Sequence, residues 1–314
     1  MVIRFGCVTR ALLCLSTLAG AANITSLLEQ EWIPLRPPKI VVSKEDLGGS
    51  QSSSYKARIE FLSAVANLAK IGYDFRISGS NGEGVFTLSP EAAHTPRIPS
   101  VIHQTWKSKD IRSHSADAVE CTDMLRKHAP DYYFVLWTDN EIMDFIKHFY
   151  PDNFQYYLKL NMNIKRADLA RYMILQKFGG LYVDLDVELK VNLGDLVRVP
   201  SIPTFISYRS KEFEKHREPF AGNAFFGCVP SSLIMHAVVR HAISYSNPLV
   251  KDVYGVLRHT GPMGLGLVVQ RVLANLVDFP HEVILIFNSS VVGNIEDGPW
   301  AAVHRRKHRW GHDH

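Results

Sequence analysis

The segment that most constrains the fold lies between Lys177 and Asp186 and reads KFGGLYVDLD. Gly179 and Gly180 end a predicted helix, and an apolar strand follows at once and finishes in Asp184 and Asp186. Side chains at i and i+2 of a strand point to the same side, so we expect the two carboxylates to converge. Adjacent carboxylates repel unless a cation or proton lies between them, and Mg²⁺ and Mn²⁺ prefer oxygen ligands. The segment therefore predicts a divalent-metal site. The alternative is a pair of surface carboxylates in a turn.

Strands and helices alternate on both sides of this segment. IPSVIH, YYFVLWT and LYVDLD are predicted strands, with helices at 115–128 and at 139–149, where Thr138 or Asp139 can cap the start. The second half is more mixed, with predicted strands TFISY, NAFFGCV and EVILIF and helices at 231–245 and 264–277. The alternation predicts an open α/β sheet that binds ligands at the carboxyl ends of its strands.

The helix before the two glycines, NIKRADLARYMILQKF, carries two charges that point inward. A helical wheel places Arg171 inside its apolar face and Asp168 at the margin, with Lys165 and Arg166 on the solvent side. Charged side chains rarely point into a protein core, so two of them at i and i+3 call for a structural or functional explanation. One interpretation is a buried ion pair that locks the helix to the sheet. The other is that Asp168 binds sugar hydroxyls and Arg171 binds a diphosphate, and both can hold at once.

Four separated motifs carry a family resemblance over residues 98–270. They are IPSVIHQTW, PDYYFVLWTD, IKRADLARYMILQKFGGLYVDLD and HTGP, and Cys121 stands before PDY. In this order they resemble the DXD-containing sugar transferases of glycosyltransferase family 32, most of all the catalytic subunits of mannosyl inositolphosphorylceramide synthases. The resemblance implies a GT-A fold, with a Rossmann-like nucleotide-binding half around a mixed central sheet and an acceptor-binding second half.

The same resemblance implies roles for the charged residues. Asp168 would accept hydrogen bonds from sugar hydroxyls, and Arg171 would contact donor sugar and phosphate. Asp184 would bind ribose or sugar, and the metal directly or through water, while Asp186 would ligate the metal. Trp106 would stack on the nucleotide base; the alternative is a buried tryptophan of the core.

Further residues match family segments more loosely. Asn223 would lie near the transferred sugar, or serve as a turn or cap. Thr260, Gly261 and Pro262, the TGP sequence, would lie on the acceptor side, or form a tight turn before a helix. His304 and Trp310 resemble a terminal segment that closes over the diphosphate, with His304 as a metal ligand. Arg309 replaces the serine of that segment, and the histidines at this end also fit a solvated basic tail.

The resemblance implies a metal-dependent retaining glycosyltransferase. It would use Mn²⁺ or Mg²⁺ to move a hexose, with GDP-mannose favoured as the donor and a UDP-hexose open, onto a glycan or glycolipid acceptor. A net charge of +4 does not call for nucleic acid, and the resemblance leaves room for a membrane-bound regulatory subunit. One rival is a haloacid-dehalogenase-type phosphatase, whose D-x-D motif continues with Thr or Val where this chain has Glu188. The other is a non-catalytic, secreted sugar-binding relative.

The chain is expected to divide into residues 1–22, a signal peptide or short membrane anchor, residues 23–95, a stem or N-terminal cap, and the GT-A domain at 96–314. Arg4 and Arg10 precede the short apolar run ALLCLSTLA and small residues at 19–21. The sequons at Asn23 and Asn288 fit a lumenal route. We therefore expect the Golgi lumen, with secretion as the alternative. Outside the leader the cysteines are 121 and 228, which either pair or stay as buried thiols.

Overall fold

A computed structural model describes residues 40–41, 55–78, 83–88, 95–112, 116–194, 204–208, 221–244, 251–275, 284–287, 292–294 and 302–304. The expected leader at 1–22, both sequons, Arg309 and Trp310 lie outside these residues. The strands are β1 Ile40–Val41, β2 Tyr73–Ser78, β3 Glu83–Leu88, β4 Val101–Trp106, β5 Tyr133–Thr138, β6 Gly180–Val183, β7 Val187–Leu189, β8 Phe205–Tyr208, β9 Phe225–Cys228, β10 Ile284–Phe287, β11 Val292–Asn294 and β12 Ala302–His304. The helices are α1 Tyr55–Lys70, α2 Ala116–His128, α3 Asp139–Phe149, α4 Pro151–Lys159, α5 Asn163–Phe178, α6 Leu233–Ser244, α7 Val253–His259 and α8 Pro262–Ala274.

A mixed sheet forms the centre of the described residues, with its strands in the order β10-β8-β9-β6-β4-β5. Strands β4, β5 and β6 are mutually parallel, and β9 is antiparallel to both of its neighbours, β6 and β8. Strand β10 is parallel to β8. The chain thus combines parallel strands linked by helices with one reversed strand, so the predicted α/β class with a mixed central sheet is confirmed.

Helix α5 lies inside the molecule. It packs against β4, β6 and β9 of the central sheet and against helices α1, α3 and α6. Every residue from Asp168 to Leu175 is buried as a consequence. The expectation that Lys165 faces solvent is wrong: its side chain is fully buried. A helical wheel assumes one covered face, whereas this helix is covered from several sides.

The segment from α1 to β3 packs on the same hydrophobic core as the central sheet. Leu62 and Phe75 belong to the cluster that also contains Trp137. The ring of Phe61 lies 4.7 Å from that of Tyr133 on β5, and Ile77 N donates to the carbonyl of Asp131 at 2.9 Å. This is the part of the chain predicted as a stem or cap, and its boundary at residue 95 stays a prediction.

Several smaller expectations also meet the structure. Thr138 caps α3 in a capping box with Glu141. Cys121 and Cys228 are both buried and form no disulfide, so the alternative of two buried thiols is confirmed. Among the described helices, none has the length and apolar character that crossing a membrane requires.

Candidate active site

The candidate site lies at one edge of the central sheet. Strands β4, β6 and β8 run in the same direction, so their carboxyl ends share that edge with the amino end of the antiparallel β9. Trp106 and Tyr208 end β4 and β8, Asp184 follows β6, and Asn223 lies just before β9. Half-buried Trp106 therefore lies at the site edge, and its predicted stacking on a base stays a prediction.

The two carboxylates of the D-x-D sequence lie in a turn. Strand β6 ends at Val183, and Val187 N donates to the carbonyl of Asp184 at 3.1 Å, which closes a four-residue turn into β7. The expectation that the strand continues through Asp186 is wrong, because the pairing of β6 with β9 stops at Val183 and Phe225. Asp184 is held at its backbone by a 2.8 Å hydrogen bond from its N–H to the carbonyl of Ala224.

Both carboxylates nevertheless lie close enough to one phenol to affect it. Burial raises the pKa of Tyr208, and the negative charges of Asp184 and Asp186 raise it further. Gly222 makes room for this ring, since a Cβ there would lie 2.1 Å from a ring carbon of Tyr208. Asp184 and Asp186 are each half-buried. Asp184 and Asp186 thus both act on the Tyr208 phenol, although they lie in a turn and not along one strand.

Two glycines position the strand that leads to these carboxylates. Gly179 and Gly180 have φ values of 67° and 92°, in the left-handed region that favours glycine. A Cβ on Gly179 would lie 2.6 Å from the backbone N of Pro230, and one on Gly180 would lie 2.6 Å from the carbonyl O of Val101. The chain can therefore turn sharply from α5 into β6 only with glycine at these positions.

Asp168 lies in a closed network of hydrogen bonds. Its Oδ1 accepts from Nδ2 of Asn223 at 2.9 Å, and its Oδ2 accepts from Oγ1 of Thr260 at 3.2 Å. The Asn223 amide also donates to the Tyr172 hydroxyl at 3.1 Å, which donates in turn to the carbonyl of Gly261 at 3.4 Å. Asn223, Thr260 and Gly261, which only loose motif matches singled out, thus lie directly at the predicted site.

Arg171 connects the two ends of the site. Its Nη2 lies 3.6 Å from Oδ1 of Asp168, and its Nη1 lies 3.3 Å from Oδ1 of Asp184. Nη1 also donates to the carbonyl of Asn223 at 2.8 Å, and the guanidinium lies 4.5 Å above the ring of Tyr182. Both interpretations of the inward pair are consistent with this geometry, because the buried ion pair exists and it faces the D-x-D turn.

Tyr182 and Tyr172 are site residues that the sequence argument missed. Tyr182 Oη donates to Oδ1 of Asp184 at 2.9 Å and accepts from Oγ1 of Thr105 at 2.8 Å. A signal existed for Tyr182, because it stands two positions before Asp184 on a strand. Tyr172 gives no comparable signal, since its partners come from distant parts of the chain.

Burial and charge oppose each other in this site. Burial raises the pKa of Asp168 to about 7, although Arg171 lowers it, and Asp184 adds to the rise. Burial alone would lower the pKa of Arg171, but Asp184, Tyr182 and Asp168 together raise it above its ordinary value. The guanidinium therefore stays charged, while Asp168 can titrate near neutral pH.

The donor set fits a divalent ion that takes few protein ligands. Asp184 and Asp186 supply carboxylate oxygens, and in the described part of the chain no group of three or more His, Cys, Asp or Glu forms a candidate metal site. Mg²⁺ and similar ions often use one or two carboxylates and complete their shell with water and phosphate. Asp184 accepts hydrogen bonds from Tyr182 and Arg171, and the roles of Asp184 and Asp186 as metal ligands stay predictions.

The carboxyl-terminal segment reaches the same turn through its backbone. Strand β12 pairs antiparallel with β7, which places His304 opposite Val187, the residue after Asp186. The structure describes the backbone of His304 and not its side chain, so its role as a ligand stays a prediction. Pro262 forms the first turn of α8 after Gly261, as a tight turn before a helix requires.

Comparisons with known proteins show which families and structures this chain is similar to. Residues 115–204 match the family described as "Glycosyltransferase sugar-binding region containing DXD motif". Inositol phosphoceramide mannosyltransferase 3 of Schizosaccharomyces pombe is 36% identical over 177 residues, which are 54% of this chain and 44% of the relative. Mannosyl phosphorylinositol ceramide synthase SUR1 of Saccharomyces cerevisiae is 32% identical over 187 residues, which are 58% of this chain and 44% of the relative. The chain thus spans less than half the length of these relatives. The solved structure of PaToxG glycosyltransferase is 17% identical in sequence, with a TM-score of 0.45. The match covers 72% of this chain and 80% of the PaToxG chain.

Proposed function

We propose that the chain, whose residues 115–204 match a DXD-containing glycosyltransferase region, is a metal-dependent, retaining hexosyltransferase. The donor is a nucleotide sugar, GDP-mannose before a UDP-hexose, and the acceptor is a glycan or a glycolipid. Two relatives named for mannose transfer to inositol phosphoceramide support mannose and a sphingolipid acceptor. The Golgi lumen and a membrane-bound regulatory subunit belong to the same proposal.

The observation that carries the proposal is a single connected group, in which buried Asp168, Arg171 and Asn223 join half-buried Asp184. It lies at the carboxyl edge of parallel strands, where open α/β sheets bind their ligands. A buried, charged guanidinium beside a D-x-D turn fits a diphosphate, because charge-assisted hydrogen bonds to phosphate are strong where water is excluded. A purely structural ion pair would not need the second carboxylate, Asp186, at the same place.

The chain's own residues supply most of the expected chemistry. Arg171 stabilises the negative charge that develops on the departing diphosphate. Asp168 orients the transferred sugar through its hydroxyls, while Asn223 and Thr260 hold the carboxylate in position. A Mn²⁺ or Mg²⁺ ion on Asp186, with Asp184 directly or through water, would supply further Lewis-acid stabilisation when bound. Asn223, Thr260 and Arg171 all contact the Asp168 carboxylate, so it is poorly placed to attack the sugar as a nucleophile. We therefore expect the anomeric configuration to be retained through front-face displacement.

Transfer activity tests the proposal directly. We expect purified protein with Mn²⁺ to hydrolyse or transfer from one nucleotide sugar in a panel containing GDP-mannose and UDP-hexoses. Asp186→Ala should lower this rate by at least about 100-fold with an unchanged melting temperature. The matched control is Glu188→Ala, which changes a half-buried carboxylate two residues further along and should keep the rate.

Three results would contradict the proposal. Wild-type turnover by Asp186→Ala at saturating Mn²⁺ would remove the metal role from this turn. Hydrolysis of a phosphomonoester such as p-nitrophenyl phosphate, with no reaction on any nucleotide sugar, would favour the phosphatase. Binding of sugar without any turnover would favour the non-catalytic relative.

A further inference from the structure

Four residues just before β9 form an irregular but buried stretch of backbone. We call residues 221–224, which read Ala-Gly-Asn-Ala, the pre-β9 segment, and all four are buried. Buried backbone outside helices and sheets has to find its hydrogen-bond partners elsewhere in the protein. The partners of this segment therefore show which parts of the fold hold it in place.

The two ends of the pre-β9 segment are held by opposite sides of the candidate site. Ala221 N donates to the carbonyl of Pro262 at 3.3 Å, in the first turn of α8. The carbonyl of Ala224 accepts from the N–H of Asp184 at 2.8 Å, at the start of the D-x-D turn. The segment thus connects the predicted acceptor side with the predicted metal turn.

Asn223 is the residue through which the segment reaches the charged groups of α5. Its Nδ2 donates to Oδ1 of Asp168 at 2.9 Å, and its carbonyl accepts from Nη1 of Arg171 at 2.8 Å. Both contacts start from a single backbone position. The direction in which Asn223 points therefore depends on the peptide group that joins it to Gly222.

That peptide group is held by Ser207, near the end of β8. Ser207 is fully buried, and its Oγ donates to the carbonyl of Gly222 at 2.8 Å. The carbonyl of Gly222 and the N–H of Asn223 belong to one planar peptide unit. A hydrogen bond to this carbonyl therefore fixes the plane from which the Asn223 side chain starts.

The ladder between β8 and β9 does not reach this part of the chain. It ends at Ile206 and Gly227, one residue before Ser207. Beyond it, Gly222 N donates to the carbonyl of Tyr208 at 2.7 Å, and a Cβ on Gly222 would lie 2.1 Å from a ring carbon of Tyr208. The Ser207 hydroxyl thus takes over from the ladder at the point where the chain leaves the sheet for the site.

We propose that Ser207 is a positioning residue for sugar transfer, because it holds the Asn223 amide on Asp168 through the Gly222–Asn223 peptide. This inference rests on the proposed function, in which Asp168 orients the transferred sugar. A displaced Asn223 leaves the carboxylate with one donor fewer and a less defined orientation. Small displacements of orienting groups lower reaction rates, whereas donor binding relies on Arg171 and the D-x-D turn.

The test is Ser207→Ala, which removes the hydroxyl and leaves every charged group of the site in the chain. We expect kcat for transfer to fall about tenfold, as loss of one hydrogen bond does, while KM for the nucleotide sugar changes less. The pH at which kcat/KM reaches half its maximum should also rise, because an Asp168 carboxylate with one donor fewer holds its proton more tightly. A role of Ser207 in folding alone would lower the melting temperature and leave this midpoint pH unchanged.

Ser207→Cys is the second variant, because a thiol is a weaker donor than a hydroxyl. Its midpoint pH should lie between those of wild type and Ser207→Ala, and it becomes the readout if the alanine variant does not fold. Ser63→Ala is the matched control, since the half-buried Ser63 on α1 also donates to a backbone carbonyl, that of Ile59 at 2.7 Å. It should keep the wild-type kcat and midpoint pH.

A double-mutant cycle shows whether Ser207 acts through Asn223. Asn223→Ala should raise the midpoint pH by itself, and adding Ser207→Ala should raise it no further. Equal shifts from Ser207→Ala with and without Asn223 overturn the inference. An unchanged midpoint pH in the folded Ser207 variants overturns it as well.

Crystal structures of wild type and Ser207→Ala decide the inference without turnover, with Ser207→Cys again as the substitute. We expect the distance between Asn223 Nδ2 and Asp168 Oδ1 to lengthen from 2.9 Å to beyond hydrogen-bond range. The same distance in both crystals overturns the inference. A wild-type protein that reacts with no nucleotide sugar contradicts the proposed function instead, so the two failures are distinguished.

Discussion

At the scale of single residues, Asp168 is a buried carboxyl group whose ionisation is unfavourable in the folded protein. It is almost completely buried, and burial raises its pKa to about 7 even though Arg171 lies 3.6 Å away. A carboxylate that must lose its proton inside the protein costs free energy that an exposed one does not. Asn223, Thr260 and Arg171 hold the carboxyl group in place in spite of that cost. An apolar residue at this position would avoid the cost of burying a charge.

We predict that Asp168→Asn stabilises the protein while it removes activity. The folded pKa is raised above the unfolded value of 3.8, so the folded state binds more protons and wild-type stability falls as pH rises from about 4 to about 7. The variant lacks this loss, so its melting temperature should exceed that of wild type more at about pH 8 than at about pH 5. Differential scanning fluorimetry at both pH values measures the difference.

The same substitution should lower transfer by about 100-fold or more, because the amide cannot replace an ionised acceptor. Wild-type kcat/KM should rise with pH through about 7 as the carboxyl loses its proton. A melting-temperature difference that shrinks toward high pH, or a flat wild-type rate profile across this range, would contradict the raised pKa.

At the scale of elements, the connection between α5 and β6 decides where the D-x-D turn lies. The helix ends at Phe178, two glycines with positive φ redirect the chain, and β6 pairs with β4 and β9 at once. His103 supports this connection from β4, since its Nε2 lies 3.0 Å from the carbonyl of Gly179 while its Nδ1 accepts from Trp137. The two glycines, which the sequence predicts as the end of the helix, thus also allow the backbone to lie close to Pro230 and Val101.

We predict that Gly180→Ala destabilises the protein by about 2–4 kcal/mol. The new methyl group would lie 2.6 Å from the carbonyl O of Val101, and the residue would keep a strained positive φ. Urea unfolding followed by circular dichroism measures the change. Gly194→Ala is the control, because its Cβ would meet only the Oδ1 atom of the Asn192 side chain at 3.0 Å. Equal free energies of unfolding for the two variants would show that the close approach is not needed.

At the scale of the whole molecule, the segment before the predicted GT-A domain contributes to its core. Arg58 on α1 forms an ion pair with Glu141 on α3 and lies 5.5 Å above the ring of Trp137. Lys109 donates to the same Glu141 carboxylate at 2.8 Å, so helix α1, the β4–α2 connection and α3 meet at one point.

The family resemblance predicted from four motifs is confirmed by the match at 115–204 and by the curated relatives.

We predict that a chain starting at residue 96 folds poorly. It would lack α1, β2 and β3 and would expose apolar side chains that include Tyr133 and Trp137, whose partners come from that segment. A chain starting at residue 39 keeps these elements. The two are compared by soluble yield and by the cooperativity of thermal unfolding. A cooperative transition at the same temperature in both would place the domain boundary at residue 95, as the sequence predicts.

The sequence by itself determined the α/β class, the helix that ends in two glycines, and the candidates for the site residues. Those conclusions rest on local periodicity, turn chemistry and short motifs, which neighbouring residues specify directly. The burial of Lys165, the turn that holds Asp184 and Asp186, and the partners of Asp168 were decided only by the tertiary structure. Asn223 lies 55 positions from Asp168 and Thr260 lies 92 positions from it. Such contacts depend on which strand reverses and which helices cover α5, and no local pattern of residues encodes that choice.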